Sequence, residues 1–201
     1  MRRRRLLSVL VVASAPLLGA TARAQQDAGG FVRGLAQRAI DEVNAPGNTD
    51  EQRLGRFRTL FREGFDVPLI ARFVLGRYWR VASEAQRDEY LRLFDELVVQ
   101  TYARRFGEFP GARINVLTVS RPNEDGDQIV GVEGQLPGKA PVRMDVRVRP
   151  VDGALKIIDI AIEGVSMAIT QRDEFAAVIQ RGGGEVEALL VNLRQKVGAV
   201  R

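Results

Sequence analysis

Three carboxylates in strand-like surroundings are the residues of this 201-residue chain most suited to acid–base chemistry: Asp145, Asp159 and Glu163. Asp145 alternates with Arg143 and Arg147, so the three share one face of an extended segment, where a solvated pair is the ordinary outcome. Asp159 stands between Ile158 and Ile160 and could point inward, with Tyr78, Tyr90 or Tyr102 as a partner. General acid–base work needs a group tuned towards the working pH, and a lone carboxylate is a weak start. The chain has no His and no Cys. That composition excludes Ser-His-Asp triads, Cys-His dyads, the usual zinc sites and any disulfide framework. Gly182-Gly183-Gly184 follows a helical pattern and lacks a Gly-Lys-Ser/Thr sequel, so it reads as a helix stop and not a phosphate loop.

Charge narrows the classes further. Arg2 to Arg5, the apolar run Leu6 to Leu18 and Ala22-Arg23-Ala24 have the order of a cleaved secretory signal, predicted over 1–24. The apolar run is too short for a membrane span, which needs about 20 such residues. Gln25 follows Ala24, so the cleavage site has no lipid-accepting Cys. The paired arginines leave both the general and the twin-arginine export routes open. Removing 24 residues from 201 leaves 177, read as one domain over 25–201. The leader holds five of the 30 basic residues and none of the 25 acidic ones, so the remainder is formally neutral. A basic nucleic-acid binder is not supported. An exported chain without Cys suits a bacterial periplasm.

The elements that must position any site are helices first. Phe31, Leu35, Ala39 and Val43 recur at helical spacing up to Asn44-Ala45-Pro46-Gly47-Asn48. Thr49-Asp50-Glu51-Gln52 is a capping box before Leu54, Phe57, Leu60 and Phe61. Gly64 ends that helix, and Asp66 with Pro68 begins another carrying Leu69, Ile70, Phe73 and Val74 up to Gly76. Ser83-Glu84-Ala85-Gln86, a second capping box, opens the longest helix, to about Phe106, with Leu91, Phe94, Val98 and Tyr102 on one face.

At Pro110-Gly111 the period becomes two. Strands are predicted for Ile114 to Ser120, Gln128 to Leu136, Pro141 to Arg149 and Leu155 to Glu163, with a hairpin signal at Asp152-Gly153. In the third strand Val142, Met144, Val146 and Val148 point one way, and Arg143, Asp145, Arg147 and Arg149 the other. One face is apolar, so helices are expected on one face of an antiparallel meander. Two closing helices carry Phe175, Val178 and Ile179, then Val186, Leu189, Leu190 and Leu193. The expected class is α+β: a curved antiparallel sheet of four strands or more, wrapped on one face by several helices.

Two stretches resist a bland reading. "FVLGRYWR", Phe73 to Arg80, concentrates aromatics at a helix end. It is either a kinked helix end packed on the long helix or an aromatic rim at an apolar opening, where Tyr and Trp present a polar tip. "EGVSMAIT" leaves the fourth strand through Gly164 yet stays apolar at Val165, Met167 and Ile169, with Thr170 placed to cap the next helix. Such a connector either seals the core or lines a cavity.

Together these stretches resemble the MlaC family. The Leu-Gly-x-Tyr-Trp segment at Leu75 to Trp79 and Glu-Gly-Val-Ser-Met at Glu163 to Met167 carry the resemblance, which extends over nearly all of 25–201. The resemblance implies a periplasmic phospholipid carrier with a partly nuclear-transport-factor-like sheet and a hydrophobic cavity between sheet and helices. It implies a monomer without enzymatic activity, metal or cofactor, whose ligand is the lipid. Its implied partners are an MCE-domain subunit of an inner-membrane ABC transporter and an outer-membrane lipoprotein–porin complex, in the upkeep of outer-membrane lipid asymmetry and toluene tolerance. The residues expected to line the cavity are Phe73, Tyr78, Phe94, Val98, Tyr102, Met144, Val146, Val148, Ile160, Val165, Met167 and Ile169. One departure stands at Leu155-Lys156-Ile157, where family members often carry a Trp. The competing readings are an exported isomerase- or hydratase-like enzyme built around Asp159, and a ligand-free periplasmic adaptor.

Overall fold

Local chemistry sets the element boundaries. A computed structural model describes residues 19–107 and 111–199. The first helix, α1 (Gly19–Arg38), runs into a π-helical turn, Ala39–Val43. Of the predicted leader, residues 1–18 lie outside the described residues, and 19–24 form the start of α1. At α2 (Asp50–Gly64) both bonds of the capping box form: the Gln52 N–H donates to Thr49 Oγ1, and the Thr49 N–H to Gln52 Oε1. Ser83 and Gln86 exchange the same pair at the start of α5 (Glu84–Gly107).

Between them, α3 (Val67–Leu75) is capped by Asp66, whose carboxylate accepts from the Leu69 N–H at 3.1 Å. The chain then turns at Gly76, where φ is 58° and ψ −130°, a conformation that side chains with a Cβ strongly avoid. That turn leads into the single-turn helix α4 (Tyr78–Val81).

The strands β1 (Arg113–Val119), β2 (Gln128–Gln135), β3 (Val142–Val151), β4 (Ala154–Ile162) and β5 (Val165–Ser166) form one antiparallel sheet in sequence order. Asp152-Gly153 has two successive positive φ values, 48° and 81°, as a type I′ hairpin requires. Glu163-Gly164 repeats the pair at 49° and 81°. The apolar stretch after Gly164 is therefore not a long connector. It is the return strand of a second tight hairpin, followed at once by α6 (Met167–Arg181) and then α7 (Val186–Gly198). The helix cap is Ser166 and not Thr170, since Ser166 Oγ accepts from the Ile169 N–H at 3.1 Å.

Apolar residues gather in two main cores. The larger is helical: Tyr90, Phe94, Phe175, Leu189, Leu190 and Leu193 are almost wholly buried among α3, α5, α6 and α7. Phe175 meets Tyr90 and Phe94 edge-on, at 6.2 and 6.4 Å between centroids. The second lies under the sheet, where Val130, Val132, Val146, Val148 and Ile157 pack against Ala28 and Val32 of α1. Helices thus stand on both sides of the sheet. α1 covers the apolar face, while α3, α4 and α6 stand across from the charged one.

The link between the two halves runs through β4. The Asp66 N–H donates to the Ile157 carbonyl, and Lys156 Nζ donates to the Glu63 carbonyl at 2.6 Å. These bonds fasten the α2–α3 junction to the sheet and fix where α3 begins.

Candidate functional site

A groove of about 1050 Å³ opens between the charged face of the sheet and α3, α4 and α6. That is just above the ~300–1,000 Å³ usual for small-molecule sites. Its helical wall is apolar, with Leu69, Ile70, Phe73 and Leu75 from α3, Tyr78 and Trp79 from α4, and Ala168, Ile169 and Ala176 from α6. Leu69, Phe73 and Ile169 keep 37–44% of their surface exposed, so apolar area faces the opening.

The sheet wall is mixed: Asp145, Arg147 and Arg149 from β3 lie beside Ile158, Asp159 and Ala161 from β4. A β-bulge makes this wall. Arg147 pairs with Asp159 and Val148 with Ile157, so Ile158 is the extra residue and joins Asp159 on the groove side.

Arginines crown the opening, and several are stacked on the aromatic rings. The Arg77 guanidinium lies 5.0 Å from the Tyr78 ring centroid and donates to its hydroxyl at 3.0 Å. Arg172 lies 5.1 Å over Phe73, and Arg72 and Arg87 lie 5.9 and 5.5 Å from the Trp79 ring. Arg87 also donates to the Trp79 carbonyl at 2.8 Å, which ties α4 to α5. "FVLGRYWR" is therefore both helix end and rim.

Asp159 reaches the groove, but its carboxylate is committed. It accepts from the Ser166 hydroxyl at 2.6 Å and from the Ala168 N–H at 3.2 Å. It thereby seats the N-terminus of α6, where a carboxylate is favourable. Glu163 instead accepts from the Arg143 N–H at 2.7 Å, beside the hairpin turn. Both acids act as struts between backbone elements. Arg149 donates two bonds to the buried Asp127 carboxylate, at 2.6 and 2.9 Å, which holds its guanidinium above the usual range.

A family model described as MlaC protein matches residues 33–195. The chain belongs to the MlaC family. It is 22% identical over 191 residues to the intermembrane phospholipid transport system binding protein MlaC of Haemophilus influenzae, covering 92% of this chain and 88% of that one. The fold matches that of a phospholipid-binding protein from Ralstonia solanacearum, solved in complex with a phospholipid. The TM-score is 0.77 and the identity 21%, over 86% of this chain and 98% of that one. No helix among the described residues is long and apolar enough to cross a membrane.

The groove of this MlaC-family chain gathers only some of the residues expected there. Phe73, Tyr78 and Ile169 line it. Met144, Val146, Val148 and Ile160 do not: they lie on the opposite face, packed in the core beneath α1. The alternation in β3 sorts residues into two faces correctly, but the groove adjoins the charged one. Phe94 and Val98 belong to the helical core, and Tyr102 is half-buried on α5 with Arg105 5.8 Å from its ring centroid. Val165 is 61% exposed on β5, and Met167 is half-buried as the first residue of α6; neither lines the groove.

The departure at Leu155 and Ile157 likewise falls on the α1 side and leaves the groove wall untouched. Missing from the expected set were Leu69, Ile70, Trp79, Ile158 and the arginines. The density of aromatic and basic residues in "FVLGRYWR" was the available signal. Nothing local announces the bulge at Ile158.

Proposed function

We propose that the groove receives the acyl chains of a phospholipid and that the protein is a periplasmic carrier. It would move lipid between the outer membrane and an inner-membrane ABC transporter. The observation that carries this reading is the apolar helical wall, Leu69, Ile70, Phe73 and Ile169, left open to a large groove in a chain of this family. Support comes also from the Haemophilus relative, a binding protein of an intermembrane phospholipid transport system, and from the phospholipid held by the Ralstonia protein. Export by the 1–24 leader, action as a monomer, and docking on an MCE-domain subunit and an outer-membrane lipoprotein–porin complex belong to the same proposal. No bond-making step is assigned to the groove, since Asp159 is occupied in seating α6.

The physical need is clear. Two acyl chains hold roughly 30 methylenes, each costing about 0.8 kcal/mol to expose to water, a gross cost on the order of 25 kcal/mol. A barrier of that height is crossed about once in days. Transfer therefore has to occur between docked apolar surfaces, and a groove with an exposed apolar lip serves that handover.

Native mass spectrometry of the protein purified from a Gram-negative periplasm tests the reading, with lipid extraction alongside. A stoichiometric added mass that extracts as phospholipid supports it. A bare mass, with no uptake from vesicles, overturns it. Ile169→Glu should abolish loading while the melting midpoint stays close to wild type, because Ile169 is 44% exposed.

A further inference from the structure

The groove walls carry six arginines (Arg72, Arg77, Arg80, Arg147, Arg149 and Arg172) against three aspartates, Asp145, Asp159 and Asp173. The chain beyond the predicted leader is formally neutral, so this excess is a local feature. Several of these charges are already spent. Arg149 is held by Asp127, Arg172 lies 3.5 Å from Asp173, and Asp159 faces the N-terminus of α6. Among the described residues, Arg72, Arg77, Arg80 and Arg147 form no ion pair with a carboxylate. They are also exposed, so they can reach a group at the groove mouth.

The aromatic rings point the same way. Phe73, Tyr78 and Trp79 are the surfaces on which a quaternary ammonium could settle. Here each already carries a guanidinium of this chain, from Arg172, Arg77, and Arg72 with Arg87. A headgroup that brings its own cation would meet positive charge at every ring. A headgroup whose phosphodiester is its only charge would meet unpaired arginines, which bind phosphate oxygens with two parallel N–H donors.

We infer that the groove selects lipids with a net-negative headgroup, such as phosphatidylglycerol, over zwitterionic ones, with Arg147 and Arg77 as the phosphate-binding residues. This rests on the carrier reading and specifies its substrate class.

The test offers the protein vesicles containing equal phosphatidylglycerol and phosphatidylethanolamine with identical acyl chains. Both lipids then share one surface, and general attraction to an anionic vesicle cannot bias the choice. The protein is re-isolated and its lipid quantified by mass spectrometry. The expected result is a several-fold excess of phosphatidylglycerol that shrinks as salt is raised. Arg147→Gln should bring the ratio towards one, and Arg147→Lys should keep part of the preference. Equal loading of the two lipids by the wild type overturns the selection and leaves the carrier reading standing. No loading of either lipid overturns both. Calorimetry with glycerol 3-phosphate distinguishes a lipid from a soluble phosphate ester as the source. No heat at millimolar concentration is expected, because the acyl chains supply the affinity. Saturable binding of the soluble ester, undiminished after lipid loading, would place the arginines outside the lipid site and overturn the inference.

Discussion

The two faces of one sheet do opposite work in this molecule. Val146 and Val148 of β3 are 5% and 1% exposed beneath α1, while Arg147, between them, opens onto the groove. The covered face holds the chain together, and the open face leaves room for a ligand. A wholly apolar groove would collapse on itself in water or associate with another copy. The charged floor under an apolar helical wall keeps the groove open, and on the proposed carrier reading that wall is the surface offered to acyl chains.

The sharpest way to break this comparison is a charge on each face. Val148→Asp would bury an unpaired carboxylate beneath α1 and should cost on the order of 3–5 kcal/mol, much of the stability of a domain this size. Urea denaturation would show it. Arg147→Gln, one residue away, should stay within about 0.5 kcal/mol of wild type. Similar losses at both positions would mean that the charged face is also structural.

A smaller effect is expected at the hinge between the faces. Asp159→Ala removes both bonds that seat α6 and should cost about 2 kcal/mol. Ser166→Ala should cost about 1 kcal/mol through the lost cap. The double variant should lose less than the sum, since one network holds both residues. Gly164→Ala should cost about 1 kcal/mol, because φ there is 81°.

Burial pushes the Tyr90 phenol well above its usual range, and its hydroxyl donates to the Ala71 carbonyl at 2.9 Å. The neutral form is the one the core accepts. This contribution is therefore complete below the unfolded phenol value of about 10 and is lost as pH rises through the higher folded value. Ultraviolet titration should find this tyrosine silent until the fold opens, and Tyr90→Phe should remove the effect.

Much of the fold is legible residue by residue. Thr49 with Gln52, Ser83 with Gln86, Asp66 before Pro68, and Asp152-Gly153 each act within four positions, so their outcome is written locally. The four long strands and their meander order follow from the period of two and the short turns between them. The site was less legible. "FVLGRYWR" drew attention to Phe73 and Tyr78, which line the groove, whereas Met144 and Val146, expected beside them, pack on the other face of the sheet beneath α1. Alternation says which residues share a face; it does not say what covers that face.

Sequence alone therefore determined the bounds of α2, α3, α5 and the four long strands to within about two residues, which residues of β3 share a face, and the absence of thiol and imidazole chemistry. Those properties depend on composition and on contacts a few residues long. Only the tertiary structure decided that α1 lies over the valines, that Ile158 bulges into the groove, and that Asp159 holds the cap of a helix seven residues downstream. Each of these depends on which surfaces meet, and that is settled by the packing free energy of the whole chain rather than by any local pattern.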